Sequence, residues 1–471
     1  MTGPTDERPP TMSYSSAVAQ MYALGHELAH TPSHKFDLAH MRVLLAALGH
    51  PESKFPSVLI AGTNGKGSTA ATLAAILQAS GLKTGLYTSP HLVRINERIR
   101  IDGQPISDDD FASLHGDVDR VAERLVEERA LPWHPSFFEM LTAMAFAHFA
   151  RANPDLVVLE VGMGGRLDAT NVVEPTLSVI TDISLDHQKF LGNTIREIAG
   201  EKAGIVRPGG VVVTLPQAPG ANDVIGNTIL DLGARGVSAV PYVPPVSPGS
   251  AEFWESARQS VAAEDAKNTQ GPRQRYPLQV LGERISVESH LAGRHQLRNI
   301  ALAIAAAVEL RSQGFKKITA PTIERGIRET RWPGRFQVVP AGEGRAEIVL
   351  DVAHNPAGAW ALRSTLSSAY EERPVTMVFG VMRDKAMSEV AEILFPIAEH
   401  VIVTHANNPR SASAEEIGAA AARVEVDIRE AADVPSALAE AQRMAGPQGL
   451  VVVTGSIYIV GEAMQALGLS I

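Results

Sequence analysis

The fold of this chain is decided by one stretch, Val58-Leu59-Ile60-Ala61-Gly62-Thr63-Asn64-Gly65-Lys66-Gly67-Ser68. Its apolar first residues predict a buried strand, its glycines predict a turn, and its end predicts a helix from Ser68 to about Ala79. Because glycine has no Cβ, the backbone N–H groups of such a turn can close around an anion, and the positive end of the helix points to the same place. With the charge of Lys66 added, the stretch predicts a cradle for a nucleotide triphosphate.

The match to the common phosphate-loop pattern is incomplete. That pattern has Gly at the position of Ile60 and Ser or Thr at the position of Gly67, so the hydroxyl group comes one residue late, at Ser68. The alternative is a strand-to-helix turn in which the glycines serve only the backbone. The lysine, together with a strand before it and a helix after it, favours the nucleotide loop.

Length, charge and composition exclude several classes of protein. A chain of 471 residues is too long for one ordinary core, so about two or three domains are expected. A net charge of −10 without a long Lys/Arg run argues against nucleic-acid binding. The chain has no cysteine, which excludes disulfides, thiolate zinc sites and cysteine nucleophiles. Because no apolar run approaches ~20 residues and Met1 to Pro10 is polar, we expect no membrane span and a cytoplasmic location.

Polar residues follow four predicted strands in the first half of the chain, after residues 60, 88, 160 and 181. In open parallel sheets, ligands bind beyond the carboxyl ends of the strands. Ser89 and His91 would lie near the phosphate loop if their strand is the neighbour of the first strand. One polar strand end carries little information, but four together predict one shared site.

Glu160 ends a continuous apolar strand, where a carboxylate is costly unless a positive charge neutralises it. A Mg²⁺ ion beside the phosphate loop would do so, and the alternative is an ion pair with Arg166. Arg94 and Arg98 are four residues apart, and their pattern fits a solvated charged surface as well as a binding role.

The second half of the chain repeats the α/β alternation. Residues 216–277 contain proline-rich and glutamine-bearing segments, from which we expect a variable insertion. Beyond a break at Arg331-Trp332-Pro333-Gly334-Arg335, strands are predicted near residues 347–352, 375–380, 400–404 and 450–454. Polar residues follow these strands too. For Asp351 and His354 the alternatives to a binding role are a turn cap and a surface imidazole.

We therefore predict an α/β protein of two parallel-sheet domains. A flexible N-terminal tail would cover residues 1–14. The first domain would span residues 15–330 and contain the insertion, and the second would span residues 331–471.

Taken together, these segments resemble the folylpolyglutamate synthase family, often bifunctional with dihydrofolate synthase, within the Mur ligase superfamily. The resemblance runs from about Phe36 to near the C-terminus, apart from residues 216–277. It is carried, in the family's order, by Ala61-Gly62-Thr63-Asn64-Gly65-Lys66-Gly67-Ser68, Thr88-Ser89-Pro90-His91, Glu160-Val161-Gly162-Met163-Gly164-Gly165-Arg166-Leu167-Asp168-Ala169-Thr170-Asn171, Gly200-Glu201-Lys202-Ala203-Gly204-Ile205, His295-Gln296 with Asn299, Pro333-Gly334-Arg335, and Asp351-Val352-Ala353-His354-Asn355-Pro356. It implies a Mur-ligase-type phosphate-loop ATPase domain followed by a Rossmann-like glutamate-ligase domain.

The resemblance implies an ATP-dependent amide ligase. ATP would convert a substrate carboxylate to an acyl phosphate, the amine of L-glutamate would attack it, and ADP and phosphate would be released. The acceptor would be dihydropteroate, a reduced folate, or both. Mg²⁺ would be required at two sites, and the protein would be a monomer without nucleic-acid or membrane partners.

The resemblance also assigns roles to single residues. Those that would bind ATP are Gly62, Thr63, Asn64, Gly65, Lys66, Gly67, Ser68, Asn299, Arg335 and Asp351. Ser89 and Glu160 would bind the first Mg²⁺. His187 and a carbamylated Lys202 would bind the second, since a free ammonium group would repel it. The residues that would bind the substrates are Arg98, His354 and Ser456. The catalytic candidates are Lys66, His187 and Lys202.

Two other functions stay open at this point. One is a different Mur-type ligase that adds an amino acid to a cell-wall precursor. The other is a nucleotide-dependent switch without ligase activity, against which the two polar-ended sheets argue.

Overall fold

The computed structural model of the protein describes residues 12–25, 38–244, 273–342, 344–370 and 373–469. Two separate sheets organise these residues, one of eight strands and one of six, together with a two-stranded hairpin. The predicted α/β fold class is therefore confirmed. We call the eight-stranded sheet with its helices the N-lobe, and the six-stranded sheet with its helices the C-lobe.

The N-lobe sheet has the strand order β4-β3-β2-β5-β1-β6-β7-β8. Its strands are β1 (Ser57–Ala61), β2 (Thr84–Tyr87), β3 (Ile99–Ile101), β4 (Gln104–Pro105), β5 (Leu156–Glu160), β6 (Leu177–Ile180), β7 (Val211–Thr214) and β8 (Arg235–Ser238). The strands from β2 to β8 in this order are parallel, and β3 and β4 extend one edge in antiparallel fashion. Strands β1 and β2 are not direct neighbours, since β5 lies between them.

Helices cover both faces of this sheet. They are α1 (Tyr14–Ala23), α2 (Leu38–Ala47), α3 (Lys66–Ala79), α4 (Asp108–Glu127), α5 (Phe137–Ala152), α6 (Gln188–Leu191), α7 (Ile195–Ala203), α8 (Pro219–Asp231), α9 (Arg294–Ser312) and α10 (Ala320–Glu329). Alternate residues of β5 enter opposite cores, Val157 and Leu159 on the side of α5, and Leu156 and Val158 on the side of α3. This double burial is why the strand sequence is apolar throughout.

Part of the predicted insertion is regular structure. Residues 216–277 include helix α8 and strand β8, which completes one edge of the N-lobe sheet. Residues 245–272 lie outside the described residues, and the hairpin β9 (Gln274–Val280) and β10 (Glu283–Ser289) follows them. Helix α8 and strand β8 were not predicted from the sequence. The predicted tail falls mostly on residues 1–11, which also lie outside the described residues, and α1 begins at Tyr14.

The C-lobe sheet has the strand order β11-β12-β16-β13-β14-β15. Its strands are β11 (Gln337–Val339), β12 (Glu347–Leu350), β13 (Val375–Phe379), β14 (His400–Val403), β15 (Asp427–Glu430) and β16 (Leu450–Thr454). Its helices are α11 (Pro356–Ala369), α12 (Met387–Leu394), α13 (Ala414–Ala420), α14 (Val434–Ala445) and α15 (Ile457–Ala466). All strands after β11 pair in parallel, so polar residues that follow them also collect at one edge.

Within the part of the chain that the structure describes, every helix is too short or too polar to cross a lipid bilayer.

Candidate active site

The four polar strand ends of the N-lobe meet at one edge. Strands β2, β5, β1 and β6 are consecutive neighbours in the sheet and run in parallel. Their carboxyl ends therefore point the same way, and the residues that follow them surround the loop at Gly62 to Ser68. The predicted gathering of these ends at one place is confirmed.

Close packing explains the glycines of this loop. A Cβ on Gly62 would collide with the side chain of Thr181, and a Cβ on Gly65 would collide with that of Asn299. Gly65 has a φ of 87°, which favours glycine. Two backbone hydrogen bonds attach the loop to the segment that follows β6. Thr63 N and Asn64 N donate to Asp182 O at 2.8 and 3.2 Å.

Lys66 lies among carboxylates at the start of α3, which begins two residues earlier than predicted, at Lys66 itself. Its ammonium group donates to Thr63 O at 3.2 Å. Burial lowers the pKa of Lys66, while the charges of Glu160 and Asp186 oppose that shift. The lysine is therefore held close to the phosphate loop by the backbone and by negative charge.

Glu160 is 4% exposed at the end of β5 and accepts a hydrogen bond from Ser89 N at 3.2 Å. Burial raises the pKa of Glu160, and the charges of Lys66 and Arg335 oppose this rise. The alternative pairing with Arg166 is not found, since Arg166 pairs with Glu201 at 2.8 Å. Glu160 is thus a buried carboxylate facing the phosphate loop.

Lys202 is 3% exposed on α7, and its Nζ donates to Gly62 O at 2.8 Å. Burial, followed by repulsion from Lys66, lowers the pKa of Lys202 to about 7. A substantial fraction of this amine is therefore neutral at neutral pH.

His187 adopts a left-handed backbone conformation with a φ of 49°, which is uncommon for a residue other than glycine. Burial and the charge of Lys385 lower its pKa to about 4, so the imidazole is neutral and able to bind a metal. Neutral His187 and partly neutral Lys202 both lie within the electrostatic reach of Lys66.

Of the other residues with a predicted ATP role, Asn299 contacts the loop, Arg335 lies within electrostatic reach of Lys66, and Asp351 lies within electrostatic reach of Arg335. Asn299 contacts Gly65 from α9 and donates to Gln296 Oε1 at 2.8 Å, as their shared helical face predicts. Burial lowers the pKa of Arg335, against the charges of Asp351 and Glu160. Asp351 accepts hydrogen bonds from Phe336 N and Ala353 N at 2.8 and 2.9 Å, so it also acts as a turn cap.

Arg98 is not part of a solvated surface, because it is 2% exposed. Its Nε donates to His91 Nδ1 at 2.8 Å, and its guanidinium lies 5.4 Å from the ring centre of Phe137. Arg94 is different, since it is half exposed and pairs with Asp108 at 2.7 Å. The two arginines therefore have different environments despite their shared pattern.

A cavity of about 250 Å³ lies between the N-lobe and the C-lobe beside their direct contacts. Five of the predicted site residues line it: Ser89, His187, Arg335, His354 and Ser456. Its N-lobe wall also carries apolar side chains, among them Met41, Phe137, Phe138 and Met163. His354 and Ser456 come from the C-lobe, so the cavity has walls from both lobes.

Sequence reasoning missed two cations of the C-lobe wall, Lys385 and Arg410. Lys385 Nζ lies 2.8 Å from Asp186 Oδ1, and Arg410 Nη2 lies 2.9 Å from Asp384 Oδ1. Lys385 follows the end of β13 by a few residues, as Arg410 follows β14. Both residues could therefore have been found by looking for polar residues that follow predicted strands, as for the N-lobe.

Among the described residues, no three His, Cys, Asp or Glu side chains are grouped closely enough to hold a metal ion by themselves. A cation beside the phosphate loop would have Glu160 and the Ser89 hydroxyl as protein ligands. This small set fits Mg²⁺, which commonly keeps water and phosphate oxygens in its coordination shell.

Comparison with known proteins identifies relatives along almost the whole chain. Residues 334–457 match the model of the family described as Mur ligase, glutamate ligase domain. The dihydrofolate synthase/folylpolyglutamate synthase of Bacillus subtilis strain 168 is 33% identical over 435 residues, covering 91% of this chain and 94% of that protein.

Solved structures agree with this result. The Mycobacterium tuberculosis folylpolyglutamate synthase complexed with ADP and AMPPCP has a TM-score of 0.81 and 31% identity, and the match covers 96% of this chain and 99% of that one. Escherichia coli FolC in complex with DHPP and ADP has a TM-score of 0.76 and 27% identity, with 99% of both chains covered. The chain therefore belongs to the dihydrofolate synthase/folylpolyglutamate synthase family.

Proposed function

We propose that this protein is an ATP-dependent ligase that joins L-glutamate to a carboxyl group of dihydropteroate, of a reduced folate, or of both. The observation that carries the proposal is the position of Lys66, Glu160 and Lys202 around one phosphate loop that adjoins a cavity between two lobes. The relatives support the choice of substrate, since FolC is complexed with DHPP and ADP and the Bacillus protein is a dihydrofolate synthase/folylpolyglutamate synthase.

The proposed reaction has two steps. An oxygen of the substrate carboxylate attacks the terminal phosphorus of ATP, the bond to the bridging oxygen breaks, and ADP leaves. The amine nitrogen of glutamate then attacks the acyl carbon, phosphate leaves, and the nitrogen loses a proton to give the amide. Both steps build or move negative charge, so positioning and charge neutralisation are the main tasks of the protein.

Residues of the N-lobe, with Arg335 and Asp351 from the C-lobe side, would supply those tasks. The backbone N–H groups from Gly62 to Ser68 would bind the phosphates, with Lys66 on the phosphoryl group in transfer. Asn299, Arg335 and Asp351 would complete the ATP site. The placement of the acyl phosphate in a cavity between lobes would limit its hydrolysis by water.

We propose two Mg²⁺ sites. Ser89 and Glu160 would hold one ion, and His187 with the carbamate of Lys202 would hold the other. Bound Mg²⁺ would neutralise phosphate charge and orient the phosphoryl group. The carbamate would form when the neutral amine of Lys202 attacks the carbon of CO₂ and loses a proton, which replaces a positive charge by a negative one. The lowered pKa of this amine favours that reaction.

Residues of both lobes would bind the substrates. Arg98 would serve the folate or glutamate carboxylate from the N-lobe side, and His354 and Ser456 would serve glutamate from the C-lobe side. We expect the protein to act as a cytoplasmic monomer, which light scattering and cell fractionation would test.

The test is an assay of phosphate release with ATP, Mg²⁺ and glutamate, run in parallel with dihydropteroate and with tetrahydrofolate. We expect release that requires both glutamate and one of the pterins, together with a product heavier by one glutamyl residue. Release that ignores pterins would favour a cell-wall ligase, and simple nucleotide hydrolysis would favour a switch protein. Either of these results would contradict the proposal.

A further inference from the structure

Asp186 is an N-lobe residue whose side chain contacts the C-lobe. It lies in the loop between β6 and α6, and its Oδ1 accepts a hydrogen bond from Lys385 Nζ at 2.8 Å. Its Oδ2 lies 3.4 Å from Asn355 Nδ2 and 3.8 Å from His354 Nε2. The side chains of Asp186 and Lys385 are 11% and 9% exposed, so the ion pair is largely removed from water.

Asn355 connects the same contact to the phosphate loop. Its Oδ1 caps α11 by accepting from Gly358 N at 2.8 Å, which leaves its Nδ2 facing the N-lobe. That Nδ2 donates to Asn64 Oδ1 at 3.0 Å as well as approaching Asp186. Asp186 also accepts from the backbone N of His187 at 2.9 Å. The C-lobe is thereby hydrogen-bonded to two loops of the nucleotide site.

A second contact between the lobes is of a different kind. Leu92 and Val93 of the N-lobe pack against the apolar core of the C-lobe. A Cβ on Gly461 of α15 would collide with the carbonyl oxygen of Leu92, so the backbones lie very close there. Apolar packing stabilises the contact between the lobes, but it does not fix their relative orientation because it is not directional. A buried ion pair depends strongly on distance and geometry, because separation leaves both charges without a partner.

We propose that Asp186 is a positioning residue that fixes the position and orientation of the C-lobe relative to the N-lobe, which we call the register of the lobes. Because Lys385 and His354 also line the cavity, this register sets where two C-lobe side chains stand relative to the substrates. Asp186 thereby controls the binding of the amino-acid substrate more than that of ATP. The effect on the amino-acid substrate rests on the proposed function, whereas the register itself does not.

The register can be measured directly, because the natural chain has no cysteine. Ser113→Cys and Ala422→Cys place one spin label on an exposed position of each lobe. Double electron–electron resonance on the full chain with Mg²⁺ and AMPPCP should give one narrow distance distribution. Asp186→Asn should broaden that distribution and add longer distances.

The matched control is Asp223→Asn, which removes the same charge from an exposed ion pair with Arg196 inside the N-lobe. It should leave the distance distribution unchanged. Lys385→Met is a second variant that breaks the pair from the C-lobe side, and it should reproduce the broadening if Asp186→Asn fails to fold. A distribution that stays narrow in the folded Asp186 or Lys385 variant overturns the proposal.

The KM values for glutamate and for ATP provide an independent test. Asp186→Asn should raise the KM for glutamate about tenfold or more, as expected for the loss of a charged hydrogen bond, with the KM for ATP changed less than about twofold. A raised KM for glutamate without any change in the distance distribution would also refute the proposal, since Asp186 would then act locally. If the wild-type protein shows no pterin-dependent ligation, the proposed function fails, and the distance measurement still decides the register.

Discussion

The two lobes present their polar strand ends in different ways. In the N-lobe, Lys66, Glu160 and Lys202 are charged or chargeable groups packed together, and burial shifts the pKa of each. In the C-lobe, the corresponding residues mainly serve their own backbone. Ser456 caps α15 by accepting from Tyr458 N at 3.1 Å, and His354 Nδ1 lies 2.9 Å from Val352 O.

This difference indicates that the two lobes have different roles in the proposed reaction. The N-lobe groups lie around one loop, so this lobe contains most of the charges that we propose for the phosphate chemistry. The C-lobe groups are fixed by local turns and reach the chemistry only through the docking of that lobe across the cavity. We therefore expect N-lobe substitutions to reduce the rate of the chemical step, and C-lobe substitutions to weaken amino-acid binding.

The largest effect is expected for Lys66→Ala. Loss of the charged donor on the phosphoryl group should lower kcat by about 10³-fold, or roughly 4 kcal/mol of transition-state stabilisation. Phosphate release in single turnovers measures it. Lys83→Ala, which removes an exposed lysine near β2, is the control and should keep its activity. A near-normal rate for Lys66→Ala would remove the basis for placing the chemistry in the N-lobe.

A somewhat smaller loss, on the order of 10²-fold in kcat, is expected for Lys202→Ala, because one ligand of the second Mg²⁺ would be missing. Added acetate or formate should restore part of the activity by occupying the position of the carbamate. Lys189→Ala, at an exposed position, should need no rescue. Full activity of Lys202→Ala without any carboxylate would show that the carbamate is unnecessary.

Gly65→Ala should damage the phosphate loop without touching any charge. The new methyl group would collide with the side chain of Asn299 at a backbone φ of 87°, at a cost of about 1–3 kcal/mol of stability. Nucleotide affinity by calorimetry should fall about tenfold or more. Gly116→Ala is the control, since a Cβ there meets no atom within 4 Å in helix α4, and it should be neutral or slightly stabilising.

The pH dependence of activation follows from the pKa of Lys202, which burial lowers from 10.5 to about 7. Only the neutral amine reacts with CO₂, so its fraction rises as pH increases through this value. After CO₂ is removed, reactivation by bicarbonate should be about tenfold slower at pH 6 than at pH 8, at equal dissolved CO₂. A rate of reactivation that does not change with pH would contradict the assignment.

The smallest effect is expected for Ser456→Ala in the C-lobe. Loss of the helix cap should cost about 1 kcal/mol of stability, and the KM for glutamate should rise severalfold while the KM for ATP stays constant. Ser413→Ala is the control, since Ser413 caps α13 in the same way and does not line the cavity. Equal kinetics in the two variants would mean that Ser456 serves only its helix.

The sequence by itself determined the local units of this protein. The strand, turn and helix around Lys66, the buried strand that ends in Glu160, and the later C-lobe strands follow from apolar periodicity and glycine placement, which depend on near neighbours. It also indicated that the four strand ends share one site, because parallel strands place their carboxyl ends at one edge. Helix α8 and strand β8 were not predicted, since their weak pattern gains order from the sheet edge that β8 completes.

Only the tertiary structure decided how those units meet. It placed β5 between β1 and β2, which brings Glu160 between Ser89 and the phosphate loop. It paired Arg166 with Glu201 and buried Arg98. It also brought together Asp186 and Lys385, which are 199 positions apart in the sequence. Strand order and lobe docking arise from packing between distant segments, and such packing leaves no periodic signal in any one of them.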